Sequence, residues 1–203
     1  MGRWLLGGST LAVTVLIGAC SGQSPPWSAP GSSQQPSASA QPGSPANPLS
    51  DLAVQRIIIG HQVAAAKFGT PAPIDDPHRE QQVLDSVAAA SPGLGINSAD
   101  SAQFFRDQIE ASKVVQRGLY QLWTADPTQR PANRSDLSKQ VRPELDRLTT
   151  DMLRQLQATT GVRHAGARCT VEAGQALTEA AKPLDHLDRD ALRVALRSMC
   201  SQS

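Results

Sequence analysis

The stretch KFGTPAPIDDPHREQQ, at residues 67–82, ends one predicted helix and begins the next, and so decides how the chain folds. Gly69 suits the position that follows a helix. Asp76 is a good helix cap, and Pro77 after it suits the first helical position. Because ammonium, guanidinium and carboxylate groups surround this one turn, it is either a solvent-exposed loop between helices or half of a pocket for a small anion.

The long segments after residue 50 have the periodicity of helices. The run RIIIG at residues 56–60 is rich in β-branched residues and could form a strand on its own, but the VAAAKF that follows favours a helix. With Ser50 as the first cap, the predicted helices cover residues 51–68, 77–90, 98–123, 143–159, 171–182 and 188–199. The sequence therefore predicts an all-α fold, a bundle of about six helices that holds the functional site inside it.

The N-terminus has the pattern of an export signal. Arg3 precedes a short apolar segment at residues 4–17, which ends in LIGAC with small residues before Cys20. This pattern resembles a bacterial lipoprotein signal, so we expect a signal peptide at 1–19 and lipid on Cys20; a plain secretory signal cut nearby is the alternative. Residues 20–49 are rich in Ser, Pro and Gly, which predicts a flexible tether before a helical domain at 50–203. Both alternatives predict an exported protein. Lipid on Cys20 would make it a membrane-anchored lipoprotein, on the outer side of the cytoplasmic membrane or in the periplasm or cell envelope.

The composition excludes several classes of function. The net charge is +1 and no run of Lys or Arg occurs, which argues against nucleic acid as a partner. The four histidines show no paired ligand spacing and there is no CxxC, so we predict no metal site and take each histidine as a surface or packing residue. If Cys20 is lipidated, Cys169 and Cys200 remain as a pair that can form a disulfide in an exported protein; two buried free thiols are the alternative.

Polar residues occur in three helices where packing would favour apolar ones. Arg56 and Lys67 are 11 residues apart and project from the same side of the first helix. Ser112 and Gln116 lie one turn apart within an apolar stripe of the third helix. Each pair has an ordinary explanation. Arg56 and Lys67 could extend their charged groups into solvent, and Ser112 and Gln116 could hydrogen-bond each other or a backbone carbonyl. Together with the cap and first turn of the second helix, they indicate a polar pocket, whose seven residues are Arg56, Lys67, Asp76, Arg79, Glu80, Ser112 and Gln116.

The order and spacing of these seven residues resemble the all-helical chorismate mutase family, in its exported (gamma) subclass. The resemblance covers about residues 49–200. Arg142, before PELDRLTTDML, corresponds to a further arginine of that subclass, and Cys169 with Cys200 corresponds to its C-terminal disulfide. Pro143 disfavours helical angles at the residue before it, so we expect Arg142 just ahead of the fourth helix.

The resemblance implies conversion of chorismate to prephenate in one unimolecular step, without a cofactor. Chorismate carries two carboxylates, which Arg56, Arg79 and Arg142 would bind with help from Ser112. A guanidinium suits this task because its planar fork matches a carboxylate. The family also implies a homodimer.

The remaining residues would act on the reacting groups. By resemblance, Lys67 and Gln116 would donate hydrogen bonds to the ether oxygen of chorismate, and Glu80 would accept one from the ring hydroxyl. Asp76 would cap the second helix and position the turn. Because an amide donates at any pH, we expect activity without a need for acidic pH.

Two other hypotheses remain open. The chain could be a lipid-anchored helical protein that binds or senses an aromatic dianion without catalysis, or a structural envelope lipoprotein with no ligand. Binding needs the arginines, whereas catalysis also needs donors to the ether oxygen. Since Lys67 and Gln116 are both present, the sequence favours the enzyme.

Overall fold

A computed structural model describes residues 47–201, with side chains from residue 48 onward. The predicted signal peptide, Cys20 and the predicted tether up to residue 46 lie outside the described residues. Residues 47–201 are all-α, as predicted, and contain no β-strand. The seven helices are α1 (Asn47–Lys67), α2 (Pro77–Ala90), α3 (Ser98–Ala125), α4 (Arg142–Ala158), α5 (Thr160–Arg163), α6 (Ala167–Ala180) and α7 (His186–Ala195).

The first helix begins earlier than predicted. It starts at Asn47, so residues 47–49, which were assigned to the tether, are helical, and Ser50 lies inside the helix instead of capping it. Leu49 is fully buried, and Pro48 is tolerated in a first turn, so core packing extends the helix beyond its expected cap. The RIIIG run is helical, with Ile57 and Ile59 buried. After Lys67 the chain turns at Gly69, whose φ of 72° is the left-handed angle that favours glycine.

The start of α4 also differs from the prediction. A short π-type turn at Leu137–Val141 leads directly into the helix, and the Asp136 side chain caps this turn by accepting from the backbone N–H of Ser138 and Lys139. Arg142 is the first residue of α4, with helical angles of φ −63° and ψ −48°. The preceding turn already coils the chain, which overrides the preference that Pro143 imposes. Arg142 is therefore part of α4 rather than ahead of it.

The third helix is the centre of the bundle. It packs against α1, α2 and α7. Phe104 and Phe105 are fully buried there, with ring centroids 5.8 Å apart in an edge-to-face arrangement. A Cβ atom at Gly118 would lie 2.8 Å from Cδ2 of Leu187, so any larger residue there would require the Leu187 side chain of α7 to shift. Within residues 47–201, no helix is both long and apolar enough to cross a membrane.

The C-terminal part, from α5 to Cys200, is cross-linked by a disulfide. Cys169 of α6 and Cys200 after α7 form a disulfide, as predicted, with their Cα atoms 5.8 Å apart. The helices here are shifted from their predicted ranges, and the short α5 was missed. Arg163 of α5 is buried and donates through Nε to the Met199 carbonyl at 2.8 Å, which fixes the chain end beside the disulfide.

Candidate active site

A cavity of about 740 Å³ lies among α1, α2, α3 and α4. It has the size of a small-molecule site. Eight pocket residues were predicted from the sequence, and all of them line this cavity: Arg56, Lys67, Asp76, Arg79, Glu80, Ser112, Gln116 and Arg142. The remaining wall is largely aliphatic, with Val63, Val83, Ile109, Leu137 and Leu145. The helix packing thus brings together residues from four separate segments.

Arg56 is a buried cation in the wall formed by α1. Its side chain is 7% exposed, and within residues 48–201 its Nε and Nη1 atoms have no hydrogen-bond partner. Burial lowers the pKa of this guanidinium to about 10, against the opposing effect of Asp146. A buried donor without an acceptor is costly, so this group is set up to receive an anion.

Lys67 ends α1 at the rim of the same cavity. Its Nζ donates to the Pro73 carbonyl at 2.8 Å, across the turn quoted above. Desolvation lowers the pKa of Lys67; the nearby carboxylates of Asp76 and Glu80 oppose this, and the Arg142 guanidinium adds to it. The ammonium is therefore partly dehydrated and available as a donor to a ligand in the cavity.

The beginning of α2 is fixed by two reciprocal hydrogen bonds. The Asp76 side chain accepts from the Arg79 backbone N–H at 3.0 Å, and Glu80 Oε1 accepts from the Asp76 backbone N–H at 3.0 Å. This arrangement satisfies helix-end donors that would otherwise be unpaired. Arg79 is exposed, and its Nη1 donates to Gln82 Oε1 at 3.3 Å. Asp76 is thus the cap that the sequence predicted.

Gln116 and Ser112 form the polar part of the α3 wall. Gln116 is 3% exposed, and its Nε2 donates to the Ser112 carbonyl and hydroxyl oxygens, both at 3.2 Å. The two side chains therefore bond each other, which was the ordinary explanation considered above. That explanation is incomplete, because in the described part of the chain Gln116 Oε1 is buried without a partner.

The α4 wall carries one charge of each sign. Arg142 is exposed at the start of the helix, and Asp146 lies one turn further on; both line the cavity. Asp146 is the carboxylate that acts on Arg56 across the cavity. Charge of both signs around one opening suits a ligand with carboxylates and a hydroxyl.

Lys113 follows Ser112 on α3 and also lines the cavity, and it was not predicted from the sequence. It is 8% exposed, and its Nζ lies 2.8 Å from Glu80 Oε2, 2.8 Å from Glu110 Oε1 and 3.4 Å from Asp75 Oδ1. Burial lowers the pKa of Lys113, but the hydrogen bonds to Glu110 and Glu80 outweigh it and raise the pKa overall. Only the Glu110 contact, three residues away, could have been anticipated from sequence spacing.

Two further observations concern groups outside the cavity. His61 of α1 is half-buried, and its Nε2 lies 2.7 Å from Oδ1 of the buried Asp188 of α7, so it is a packing histidine that joins two helices. Among residues 47–201, no group of three or more His, Cys, Asp or Glu side chains could hold a metal ion.

The fold and the cavity define a class: an all-helical protein with a cation-rich pocket for a small anion. The family model for chorismate mutase type II matches residues 48–117. The chain is 34% identical over 167 residues to a secreted chorismate mutase of Mycolicibacterium smegmatis, which covers 81% of this chain and 91% of that protein. A secreted chorismate mutase of Mycobacterium tuberculosis is 28% identical over 154 residues, 75% of this chain and 76% of that one.

A solved structure agrees with these relatives. The chorismate mutase of Burkholderia phymatum superposes with a TM-score of 0.74 at 31% identity, covering 79% of this chain and 98% of that one. The chain belongs to the chorismate mutase family.

Proposed function

We propose that this chain is an exported chorismate mutase that rearranges chorismate to prephenate inside the four-helix cavity. The observation that carries the proposal is that Lys67 and Gln116, the two expected donors to the ether oxygen, line one cavity with three arginines. A protein that only bound a dianion would need the arginines and would not need these donors.

Binding is assigned to the cations. Arg56, Arg79 and Arg142 bind the two carboxylates, and Ser112 assists through its hydroxyl. The partnerless guanidinium atoms of Arg56 gain the acceptors they lack when a carboxylate enters, so the burial cost is offset on binding. Holding both carboxylates brings the two ends of the substrate into the reactive conformation.

Catalysis is assigned to the donors at the breaking bond. Negative charge develops on the ether oxygen as its bond to the ring carbon breaks, and Lys67 with Gln116 stabilises that charge by donating hydrogen bonds. Glu80 accepts from the ring hydroxyl, and Asp76 positions the turn through its cap. A rate gain of roughly 10⁶ requires about 8 kcal/mol, which one or two such donors together with orientation can supply.

Lys67 already has one hydrogen-bond partner. Its Nζ donates to the Pro73 carbonyl. An ammonium has three donors, which allows Lys67 to keep this bond and turn a second donor into the cavity.

The proposal also covers location and assembly. Two observations support export: the sequence LIGAC, which ends at Cys20, and the similarity to two secreted chorismate mutases. Lipid on Cys20 would be the anchor. Mass spectrometry of the mature N-terminus would distinguish a lipidated Cys20 from a plain cleaved end. A homodimer is proposed from the family resemblance, and light scattering of the purified protein tests it.

The test of the activity is a continuous ultraviolet assay of chorismate loss, with prephenate identified as the product. The protein is purified with its disulfide formed, and binding of a bicyclic dicarboxylate that mimics the transition state is measured by calorimetry on the same sample. We expect both turnover and binding. Binding without turnover would favour the binding protein, and neither would contradict the proposal.

A further inference from the structure

Lys113 is a buried cation at the cavity for which the proposed reaction has no direct use. Its ammonium is surrounded by three carboxylates, those of Glu80, Glu110 and Asp75, and two of these contacts are 2.8 Å long. Glu80 and Glu110 accept hydrogen bonds from this ammonium, and Asp75 adds an ion pair at 3.4 Å. Because three carboxylates hold Lys113, we expect its effect on the reaction to pass through one of these partners.

The partner that faces the reaction is Glu80. Its Oε2 accepts from Lys113 Nζ at 2.8 Å, and its Oε1 accepts from the Asp76 backbone N–H at 3.0 Å. A carboxylate held at both oxygens cannot rotate freely, yet each oxygen retains a lone pair for one more donor.

We propose that Lys113 is a positioning residue, which holds Glu80 in the orientation that accepts the ring hydroxyl of the substrate. This inference rests on the proposed function, in which Glu80 receives that hydroxyl. In this proposal, Lys113 of α3 assists Glu80 of α2 in binding the ring hydroxyl. Recognition of the hydroxyl therefore depends on the contact between the two helices.

A purely structural role for Lys113 is the competing explanation. Lys113 could simply attach the turn before α2 to α3 through Asp75. The same attachment is made by Arg117 one helical turn later, whose Nη2 lies 2.7 and 2.9 Å from the two carboxylate oxygens of Asp75. Within the described residues Arg117 makes no hydrogen bond or ion pair with Glu80, and it does not line the cavity, so it supplies a matched control on the same helix.

The experiment compares four variants with the wild type. Lys113→Met keeps the apolar stem and removes the charge, and Lys113→Arg restores a cation. The double variant Lys113→Met with Glu110→Gln removes one charge of each sign, which guards against misfolding from crowded carboxylates. Arg117→Met is the control, and circular dichroism with thermal melting verifies that each variant is folded.

Two readouts separate positioning from structure. The first is kcat/KM for chorismate. The second is the Kd, by calorimetry, of the bicyclic dicarboxylate transition-state mimic and of the same compound without its ring hydroxyl. We expect Lys113→Met and the double variant to lose about 10- to 100-fold in kcat/KM and in affinity for the hydroxylated mimic, the size of one charge-assisted hydrogen bond.

The compound without the hydroxyl decides the outcome. We expect its Kd to be the same for the wild type and both Lys113→Met proteins, with Lys113→Arg recovering part of the loss and Arg117→Met changing kcat/KM by less than about 3-fold. Equal losses for both compounds would show a structural role and overturn the inference, as would an unchanged Lys113→Met. If the wild type neither turns over chorismate nor binds either compound, the proposed function itself fails and the inference falls with it.

Discussion

Arg56 places a positive charge at a buried position in the cavity wall. In the part of the chain that the structure describes, two of its guanidinium nitrogens lack a hydrogen-bond partner, and burial lowers its pKa to about 10. Such a group destabilises the free protein. The cost is consistent with a residue retained for its ligand rather than for the fold.

We predict that Arg56→Met raises the free energy of unfolding by about 1–3 kcal/mol, because it removes an unsatisfied buried charge and keeps most of the volume. The same change should lower kcat/KM for chorismate by at least about 100-fold, the size of a lost charged contact. Urea unfolding and steady-state kinetics measure the two effects. Arg79→Met is the control: it removes an exposed arginine of the same cavity, so activity should fall while stability changes by less than about 0.5 kcal/mol. A destabilised Arg56→Met would contradict this account.

The proposed donor role of Gln116 predicts how the activity depends on pH. An amide at this buried position donates whatever the pH, so we predict that kcat/KM of the wild type is nearly constant between about pH 5 and 8, the range in which a carboxylic acid with a pKa raised by burial would lose its proton.

We predict that Gln116→Glu makes the activity dependent on acid. A glutamate there donates only when protonated, so above its pKa kcat/KM should fall about tenfold per pH unit. Gln116→Leu, which cannot donate at all, should be poor at every pH. Parallel pH profiles for the wild type and Gln116→Glu would show that Gln116 is not a donor in the reaction.

At the scale of the helices, His61 and Asp188 connect α1 to α7. The hydrogen bond to Asp188 raises the pKa of His61, and this effect exceeds the opposing desolvation. Because the folded-state pKa is raised above its unfolded value of about 6.5, the stabilisation is present below that value and is lost as pH rises through the folded pKa.

We therefore predict that the wild type loses about 0.5–1 kcal/mol of unfolding free energy between pH 6 and pH 8.5, as expected for a partly exposed ion pair. His61→Gln should lose this pH dependence, whereas His78→Gln, at an exposed position of α2, should retain it. Urea unfolding at the two pH values measures the difference. An identical pH dependence in His61→Gln would contradict the assignment.

The helices also show what the sequence could and could not predict. The cap at Asp76 and the turn at Gly69 were predicted because capping and left-handed angles are local properties. The start of α1 was wrong because burial of Leu49 extends the helix, and the placement of Arg142 was wrong because a π-type turn precedes it. The first error arises from packing that no local pattern encodes, and the second from a turn capped by Asp136 that was not predicted from the sequence.

The site follows the same rule. The spacing of the eight predicted residues was visible in the sequence, and the structure brings all eight around one cavity. Lys113 was missed because its contact with Glu80 joins residues 33 positions apart on different helices. Sequence spacing can predict which residues line a common cavity. The contacts between residues on different helices can be read only from the tertiary structure.

At the scale of the whole molecule, the disulfide stabilises the C-terminal part without taking part in the cavity. Cys169 and Cys200 are 31 residues apart, and neither lines the cavity. We predict that reduction lowers the free energy of unfolding by about 3–4 kcal/mol, the chain-entropy value for a loop of this length. As long as the reduced protein stays folded, kcat/KM should remain within about 2-fold of the oxidised value, because neither cysteine lines the cavity. A 2-fold change corresponds to only about 0.4 kcal/mol. Thermal melts and kinetics with and without reductant test both statements, and a large loss of activity in the folded reduced protein would contradict them.

The central claim is that this cavity rearranges chorismate and that Lys67 donates to the breaking bond. The most direct measurement is kcat/KM for chorismate of Lys67→Ala beside the wild type. Arg134→Ala serves as the control, because Arg134 is an exposed cation that contacts the end of α1 at the Phe68 carbonyl and does not line the cavity. We predict a loss of at least about 100- to 1,000-fold for Lys67→Ala, the effect of removing one preorganised donor, and near-wild-type activity for Arg134→Ala. A Lys67→Ala protein that keeps most of the wild-type kcat/KM would contradict the account.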